Sequence, residues 1–122
     1  MSEYYLAIDI GASSGRHMLG MIEDGKMKLE EIYRFPNGME EVDGSLCWNV
    51  DALFYEIKEG LKKCKELGKI PSYMGIDTWA VDYVLLDKED KILGKTYGYR
   101  DSRTTGMDTK VYEEISLKHL YK

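Results

Sequence analysis

The central segment of this sequence reads Ile8-Asp9-Ile10-Gly11-Ala12-Ser13-Ser14-Gly15-Arg16. It joins an apolar stretch that ends in a carboxylate to a turn of small residues with two hydroxyls and a cation. Such a turn suits a phosphate group, because glycine lets backbone N–H groups approach phosphate oxygens while serine and arginine donate further hydrogen bonds. The carboxylate can hold Mg²⁺ directly or through water. The segment is neither a Walker loop nor a dinucleotide fingerprint, because both of those glycine spacings are absent.

Strands are predicted on both sides of this segment. Apolar and β-branched residues predict a buried strand over 4–10, a second strand over 16–23 and, after the turn Asp24-Gly25, a third strand over 26–35. Three antiparallel strands in succession exclude the βαβ opening of a Rossmann domain. The next residues predict a loop over 36–45 and a short extended piece over 46–48.

A helix is predicted after Asn49, whose side chain suits an N-cap. Its apolar residues recur at helical spacing as far as Leu67, and Gly68 ends it. Gly60 lies beside this stripe, where it permits close contact with a sheet. The remaining sequence predicts strands over 73–79, 81–86 and 92–93, a polar aromatic loop over 97–102, a helix over 108–115 and a second helical start at Ser116.

Three carboxylates, those of Asp9, Asp77 and Asp82, fall within apolar strand segments. An ionised carboxylate in such a place is costly unless it is paired, hydrogen-bonded or bound to a metal. Asp9 and Asp77 each stand at the C-terminal end of a strand, where open α/β sheets bind their ligands. The pattern therefore predicts a shared cleft. The alternative is that each carboxylate caps a turn or pairs with a nearby arginine.

Other polar residues give weaker signals. His17 and His119 are far apart and are not expected to act as a ligand or base. Arg100 and Arg103 flank Asp101, so an internal ion pair that holds the loop is favoured over phosphate binding. Two cysteines without histidine partners at metal spacing, Cys47 and Cys64, are interpreted as reduced core residues.

Length and composition restrict the class of protein. The 122 residues suit one domain, and a net charge of −5 argues against binding nucleic acid through bulk electrostatics. No window is long and apolar enough for a membrane span, and Met1-Ser2-Glu3-Tyr4-Tyr5 lacks the basic region of a secretion signal. These features, with the reduced cysteines, predict a cytoplasmic protein without nucleic-acid or membrane partners.

Three segments carry a family resemblance through their order and spacing: Asp9–Arg16, the stretch GIDTWAVDYVLLD over 75–87, and Tyr99-Arg100-Asp101-Ser102-Arg103-Thr104. Together they resemble the FGGY carbohydrate kinases and, among these, the rhamnulokinases. The resemblance extends from about Tyr4 to the end of the chain.

This resemblance implies an α/β fold of the ribonuclease-H-like (actin-like ATPase) type, in which three antiparallel strands precede alternating helices and strands. It implies transfer of the γ-phosphoryl group of ATP, with Mg²⁺, to the 1-hydroxyl of L-rhamnulose. The expected ATP-binding residues are Ala12, Ser13, Ser14, Gly15 and Arg16; Asp9 would hold Mg²⁺, through water; the expected sugar-binding residues are Thr78, Trp79, Ala80 and Asp82.

The sequence departs from the family pattern in two ways. The family commonly has glycine where this chain has Ala80, and the added methyl group bears on the shape of the sugar pocket. The chain also lacks the His-Asp-Thr motif of the catalytic base, which is expected beyond Lys122. Residues 1–122 are therefore expected to be the N-terminal portion of the first kinase domain, truncated and inactive alone, with possible self-association through the surface left open. The alternatives are a non-catalytic nucleotide- or sugar-binding module and a kinase for another ketose such as L-fuculose.

Overall fold

The N-terminal half of the chain folds as an antiparallel β-meander. A computed structural model describes residues 3–121 and contains β1 (Tyr4–Ile10), β2 (Ser14–Glu23) and β3 (Lys26–Pro36). β1 pairs with β2 and β2 with β3, both antiparallel, which confirms the three predicted strands. Asp24 and Gly25 connect β2 to β3 with positive φ angles of 51° and 73°, as a tight hairpin turn requires. β2 begins two residues earlier than predicted, because Gly15 already pairs with Ile10.

Met1, Ser2 and Lys122 lie outside the described residues. The prediction about a secretion signal concerns the N-terminus, part of which lies outside the described residues. The prediction about residues beyond Lys122 also lies outside them.

A single long helix carries the chain across the sheet. α1 (Val50–Glu66) begins after Asn49, whose side-chain oxygen accepts a 3.0 Å hydrogen bond from the Ala52 N–H. Gly68, with a φ of 68°, follows its end. The helix leads into β6 (Tyr73–Thr78), which pairs parallel to β1, so the strand order in the sheet is β3-β2-β1-β6. This arrangement confirms the predicted helix and the helix–strand alternation.

The core lies between α1 and one face of the sheet. It is built by alternate strand residues and one helical cysteine: Leu6, Ile8, Ile10, Leu19, Ile32, Phe35 and Cys64. Gly60 is the point of closest approach, because a Cβ atom there would lie 2.1 Å from the ring of the fully buried His17. The predicted close contact at Gly60 is thus confirmed.

The opposite face of the sheet is uncovered by the residues that the structure describes. A groove of about 420 Å³ runs along it, and its lining includes Tyr5, Ala7, Met18 and Leu29. Tyr5 stacks on Tyr73 with ring centroids 5.7 Å apart. The sheet therefore presents an apolar surface beside the ends of β1 and β6.

Two strand assignments differ from the predictions. The predicted loop over 36–45 contains β4 (Glu40–Val42), whereas the short extended piece predicted over 46–48 is confirmed as β5 (Ser45–Cys47), which pairs with β4 in a hairpin. The predicted strand over 81–86 is reduced to β7 (Leu85–Leu86), which pairs with β8 (Ile92–Leu93). The φ of Val81 is 70°, and the backbone bends at Ala80 and Val81, so Asp82 lies in an irregular segment and not in a strand.

The C-terminal region contains a 3-10 helix (Ser102–Thr104), α2 (Met107–Glu114) and α3 (Leu117–Leu120), close to the predicted helices. The expected ion pair at Asp101 is wrong. Its carboxylate accepts hydrogen bonds from the backbone N–H groups of Leu46, at 2.7 Å, and Arg103, at 3.1 Å. The bond from Leu46 holds the pKa of Asp101 below its usual value. The guanidinium group of Arg100 instead lies over the ring of Tyr99, and that of Arg103 lies over the ring of Tyr97.

Cys47 and Cys64 are free thiols in buried positions, as predicted. Among the helices of residues 3–121, none has the length and apolar character that a membrane crossing requires.

Candidate functional site

The predicted site residues lie at and just beyond the C-terminal ends of two neighbouring strands, β1 and β6. Asp9 is the register partner of Asp77, and Ile10 is the partner of Thr78. Neighbouring strands lie about 4.8 Å apart. The turn that follows β1 and the segment that follows β6 therefore begin side by side at the C-terminal edge of a parallel strand pair, where open α/β sheets bind ligands.

The turn between β1 and β2 is braced by a residue that the sequence analysis missed. The Gly11 N–H donates to the Ser14 carbonyl at 2.9 Å, which closes the turn. The Asn37 side chain donates to the Gly11 carbonyl at 2.8 Å, and its backbone N–H donates to the Ser13 carbonyl at 3.0 Å. Asn37 therefore holds this turn at two points. The contact joins residues 26 positions apart, so local sequence patterns do not reveal it.

Packing against a neighbouring strand requires a glycine at position 15, whereas the sequence analysis explained Gly15 by phosphate binding. A Cβ atom at Gly15 would lie 2.1 Å from Cζ of Phe35, its register partner in β3. The glycine thus makes room for a buried aromatic ring. The predicted phosphate contact at this residue stays a prediction, because Gly15 is paired within the sheet to Ile10 on one side and to Phe35 on the other.

Arg16 and Asp9 form an ion pair across β1 and β2. The Arg16 Nε lies 3.1 Å from the Asp9 Oδ2, and both side chains are 48% exposed. An ion pair this exposed contributes at most about 1 kcal/mol to stability. The pair fixes the direction of the guanidinium through Nε and leaves its two terminal nitrogens to reach an anion beside the turn.

The acidic residues fit a hydrated Mg²⁺ ion. In residues 3–121 no group of three or more metal-ligating side chains is present, so the chain offers no protein cage for a metal. Mg²⁺ usually keeps several waters and binds through one or two carboxylates together with substrate phosphates. Asp9 and Asp77, on adjacent strands beside the β1–β2 turn, supply two such carboxylates.

The segment after β6 is organised around Asp82. Its Oδ2 accepts hydrogen bonds from the indole N–H of Trp48, at 2.6 Å, and of Trp79, at 2.8 Å. Thr78, Trp79 and Asp82 line a cavity of about 390 Å³ together with Trp48. Ala80 is exposed. Three of the four predicted sugar residues thus share one cavity.

The two histidines lie outside this arrangement. His17 is fully buried beneath α1, where its Nε2 lies 3.3 Å from the Ile57 carbonyl and its Nδ1 has no partner in the part of the chain that the structure describes. Burial lowers the pKa of His17. The neighbouring Tyr33 hydroxyl donates to Glu56, and this bond raises the pKa of Tyr33 to about 12. His119 lies in the exposed α3.

Comparison with known proteins gives consistent findings. Residues 4–122 match the FGGY family of carbohydrate kinases, N-terminal domain. The chain is 55% identical to the rhamnulokinase of Halalkalibacterium halodurans and 51% identical to that of Ligilactobacillus salivarius, in each case over 97% of its length. It covers 25% and 24% of those two proteins, so it spans about a quarter of the curated relatives it matches.

The fold is that of a sugar kinase of the actin-like ATPase type. The structure resembles the xylulose kinase of Rhodospirillum rubrum with a TM-score of 0.69 at 15% identity, over 95% of this chain and 25% of that chain. The fold class expected from the sequence is confirmed by this likeness.

Proposed function

The chain belongs to the FGGY family of carbohydrate kinases, and on that basis we propose that the protein carrying it transfers the γ-phosphoryl group of ATP to O1 of L-rhamnulose. The rhamnulokinase relatives support this choice of ketose. Residues 1–122 are the N-terminal portion of the first kinase domain in this proposal. The reaction would take place in the cytoplasm, which supplies ATP and keeps Cys47 and Cys64 reduced.

One observation carries the proposal: the β1–β2 turn and the segment after β6 begin at paired residues of adjacent parallel strands, Ile10 and Thr78. Phosphoryl transfer depends mainly on positioning two substrates in line and on stabilising the charge that develops. A donor-rich turn beside a cavity that carries the hydroxyl of Thr78 and the carboxylate of Asp82 meets both needs.

The nucleotide side of the site consists of residues Ala12 to Arg16. Backbone N–H groups of this turn, the serine hydroxyls and the free nitrogens of Arg16 bind the ATP phosphates. Asn37 keeps the turn in shape through its bonds to the carbonyls of Gly11 and Ser13. Asp9 holds Mg²⁺ through water, assisted by Asp77, and the ion would neutralise phosphate charge there.

The sugar side of the site consists of Thr78, Trp79, Ala80 and Asp82. Hydroxyl and carboxylate oxygens bind ketose hydroxyls, and the indole of Trp79 supplies an apolar wall. In this proposal the general base for the 1-hydroxyl is the aspartate of a His-Asp-Thr motif, a tripeptide that these 122 residues do not contain. Residues 1–122 alone are accordingly inactive in this proposal.

An activity measurement on the full natural protein tests the proposal. The protein is incubated with Mg·ATP and, in turn, L-rhamnulose, L-fuculose and L-xylulose, and ADP release is followed with identification of the sugar phosphate by mass and ³¹P NMR. The proposal requires the highest kcat/KM for L-rhamnulose and a 1-phosphate product. A preference for L-fuculose would replace the substrate and retain the reaction, whereas nucleotide binding without turnover would indicate a binding module.

A further inference from the structure

Both tryptophans of the chain donate to the same carboxylate oxygen. The indole N–H groups of Trp48 and Trp79 lie 2.6 Å and 2.8 Å from the Asp82 Oδ2. Their rings are 4.1 Å apart between centroids, so they also pack against one another. Two donors on one oxygen define the direction of the carboxylate more strictly than a single bond. We call this group of three residues the indole clamp.

The clamp leaves the charge of Asp82 uncompensated. No cation of residues 3–121 forms an ion pair with Asp82, and both donors are neutral. The second oxygen, Oδ1, accepts no side-chain or backbone hydrogen bond from the described residues. A half-buried carboxylate that retains one free oxygen is well suited to accept hydrogen bonds from ligand hydroxyl groups.

The backbone beside the clamp has an unusual conformation. Val81 has a φ of 70°, a region that β-branched residues rarely adopt. Within residues 3–121 the other non-glycine residues with positive φ are aspartates, which tolerate this region far better. A strained conformation persists only where its surroundings hold it. The hydrogen bond from the Trp79 indole to Asp82 spans Val81 and is one contact that holds the segment in this shape.

Trp48 attaches the clamp to the rigid part of the fold. Its side chain is 5% exposed, and its backbone N–H donates to the Thr96 carbonyl at 2.8 Å. The next residue, Asn49, caps α1. Trp79 directly follows β6 and packs against the core, but it is only three residues from Asp82 along the chain. Trp48 is the donor that reaches Asp82 from a distant part of the sequence, 34 residues away, and it therefore ties Asp82 to the segment that precedes α1.

We infer that Trp48 is a positioning residue for the sugar site: through its indole N–H it fixes Asp82 so that Oδ1 is available to a ketose hydroxyl group. This inference rests on the proposed function, and it adds a residue that lies outside the predicted sugar segment. Trp48 acts through Asp82 and touches no reacting atom.

A double-mutant cycle in the full natural protein tests the inference. Three variants make up the cycle: Trp48→Phe, Asp82→Ala and the double variant. Trp48→Phe keeps an aromatic ring and removes the N–H. The matched control is Tyr55→Phe, at an exposed position of α1. The loss of one hydrogen bond to a charged group predicts a KM for the ketose at least about tenfold higher in Trp48→Phe. The KM for ATP stays within about twofold. In the Asp82→Ala background, Trp48→Phe changes the ketose KM no further.

A merely structural role would give a different result. Trp48→Phe would then change both KM values together, or would change the ketose KM equally with and without Asp82, and either result overturns the inference. Should Trp48→Phe fold poorly, Trp48→Leu also removes the indole N–H while keeping an apolar side chain, and it is subject to the same test.

An independent readout separates this inference from the proposed function. In the protein labelled with ¹⁵N-tryptophan, Asp82→Ala is expected to shift the indole N–H resonances of both tryptophans and to speed their exchange with solvent. Unchanged resonances would overturn the clamp itself. A wild-type protein that phosphorylates no ketose would overturn the proposed function and with it the positioning role, whereas active enzyme with an unaltered ketose KM in Trp48→Phe overturns the inference alone.

Discussion

Gly15→Ala is expected to destabilise the protein because its side chain would collide with Phe35. The new Cβ would lie 2.1, 2.4 and 2.7 Å from three ring carbons. Carbon atoms in contact are about 3.5–4.0 Å apart, so the ring would have to move by about 1.5 Å. Phe35 is 2% exposed and packed into the core, which offers it little space.

The magnitude follows from two opposing contributions. Overpacking of a core costs about 1–3 kcal/mol, while replacing glycine by alanine within a strand returns about 0.5–1 kcal/mol. We therefore expect the free energy of unfolding to fall by about 1–2 kcal/mol. Chemical denaturation of the full natural protein measures the change. Gly75→Ala, in β6 with no atom within 4 Å of the added methyl group, is the matched control and should be neutral or slightly stabilising.

A second substitution decides whether Phe35 is the cause. Phe35→Leu removes the three colliding ring atoms, so Gly15→Ala should cost less than about 0.5 kcal/mol in that background. If Gly15→Ala leaves stability unchanged, or if its cost persists in Phe35→Leu, the steric explanation is refuted. Loss of ATP binding without loss of stability would instead indicate that the glycine serves the phosphate.

Three further predictions concern the core, the turn and the open face. Burial lowers the pKa of His17, so the unfolded state binds a proton more readily than the folded state. The stability that depends on neutral His17 is fully present above about pH 6.5 and is lost as the pH falls through the lowered pKa. The melting temperature should therefore drop on acidification in the wild type and in His119→Gln, but much less in His17→Gln. Asn37→Asp keeps an acceptor and loses the donor to Gly11, so the KM for ATP should rise about three- to tenfold with the ketose KM unchanged; equal rises in both would contradict a local role. Residues 1–122 produced alone should self-associate in sedimentation velocity through the open sheet face, and Leu29→Lys should reduce this; a monomer at all concentrations would refute it.

Local patterns account for most of what could be predicted. The alternation of β1 to β3 and the helical spacing of α1 are properties of consecutive residues, and the structure contains them nearly as expected. The β4–β5 hairpin had a usable signal, because Asp43-Gly44 repeats the turn chemistry of Asp24-Gly25 and also has positive φ angles. Its strands are only three residues long, too short for periodicity to reveal.

The errors in the candidate site come from contacts between distant residues. The apolar run from Val81 predicts a strand, whereas the backbone bends at Ala80 and Val81 and the carboxylate of Asp82 accepts hydrogen bonds from two indoles. Asn37 reaches the β1–β2 turn only once β3 has paired with β2. Such contacts follow from the folded arrangement, so a single sequence does not disclose them.

The central claim is that two adjacent strand ends serve two different substrates, and steady-state kinetics of two variants in the full natural protein test it most directly. Arg16→Gln is expected to raise the KM for Mg·ATP with little change in the KM for L-rhamnulose, because the phosphate side loses its cation. Thr78→Val, which keeps the shape and removes a hydroxyl, is expected to do the reverse. If both variants alter both KM values equally, or if neither alters any, the assignment of the β1–β2 turn to the nucleotide and of the segment after β6 to the sugar is contradicted.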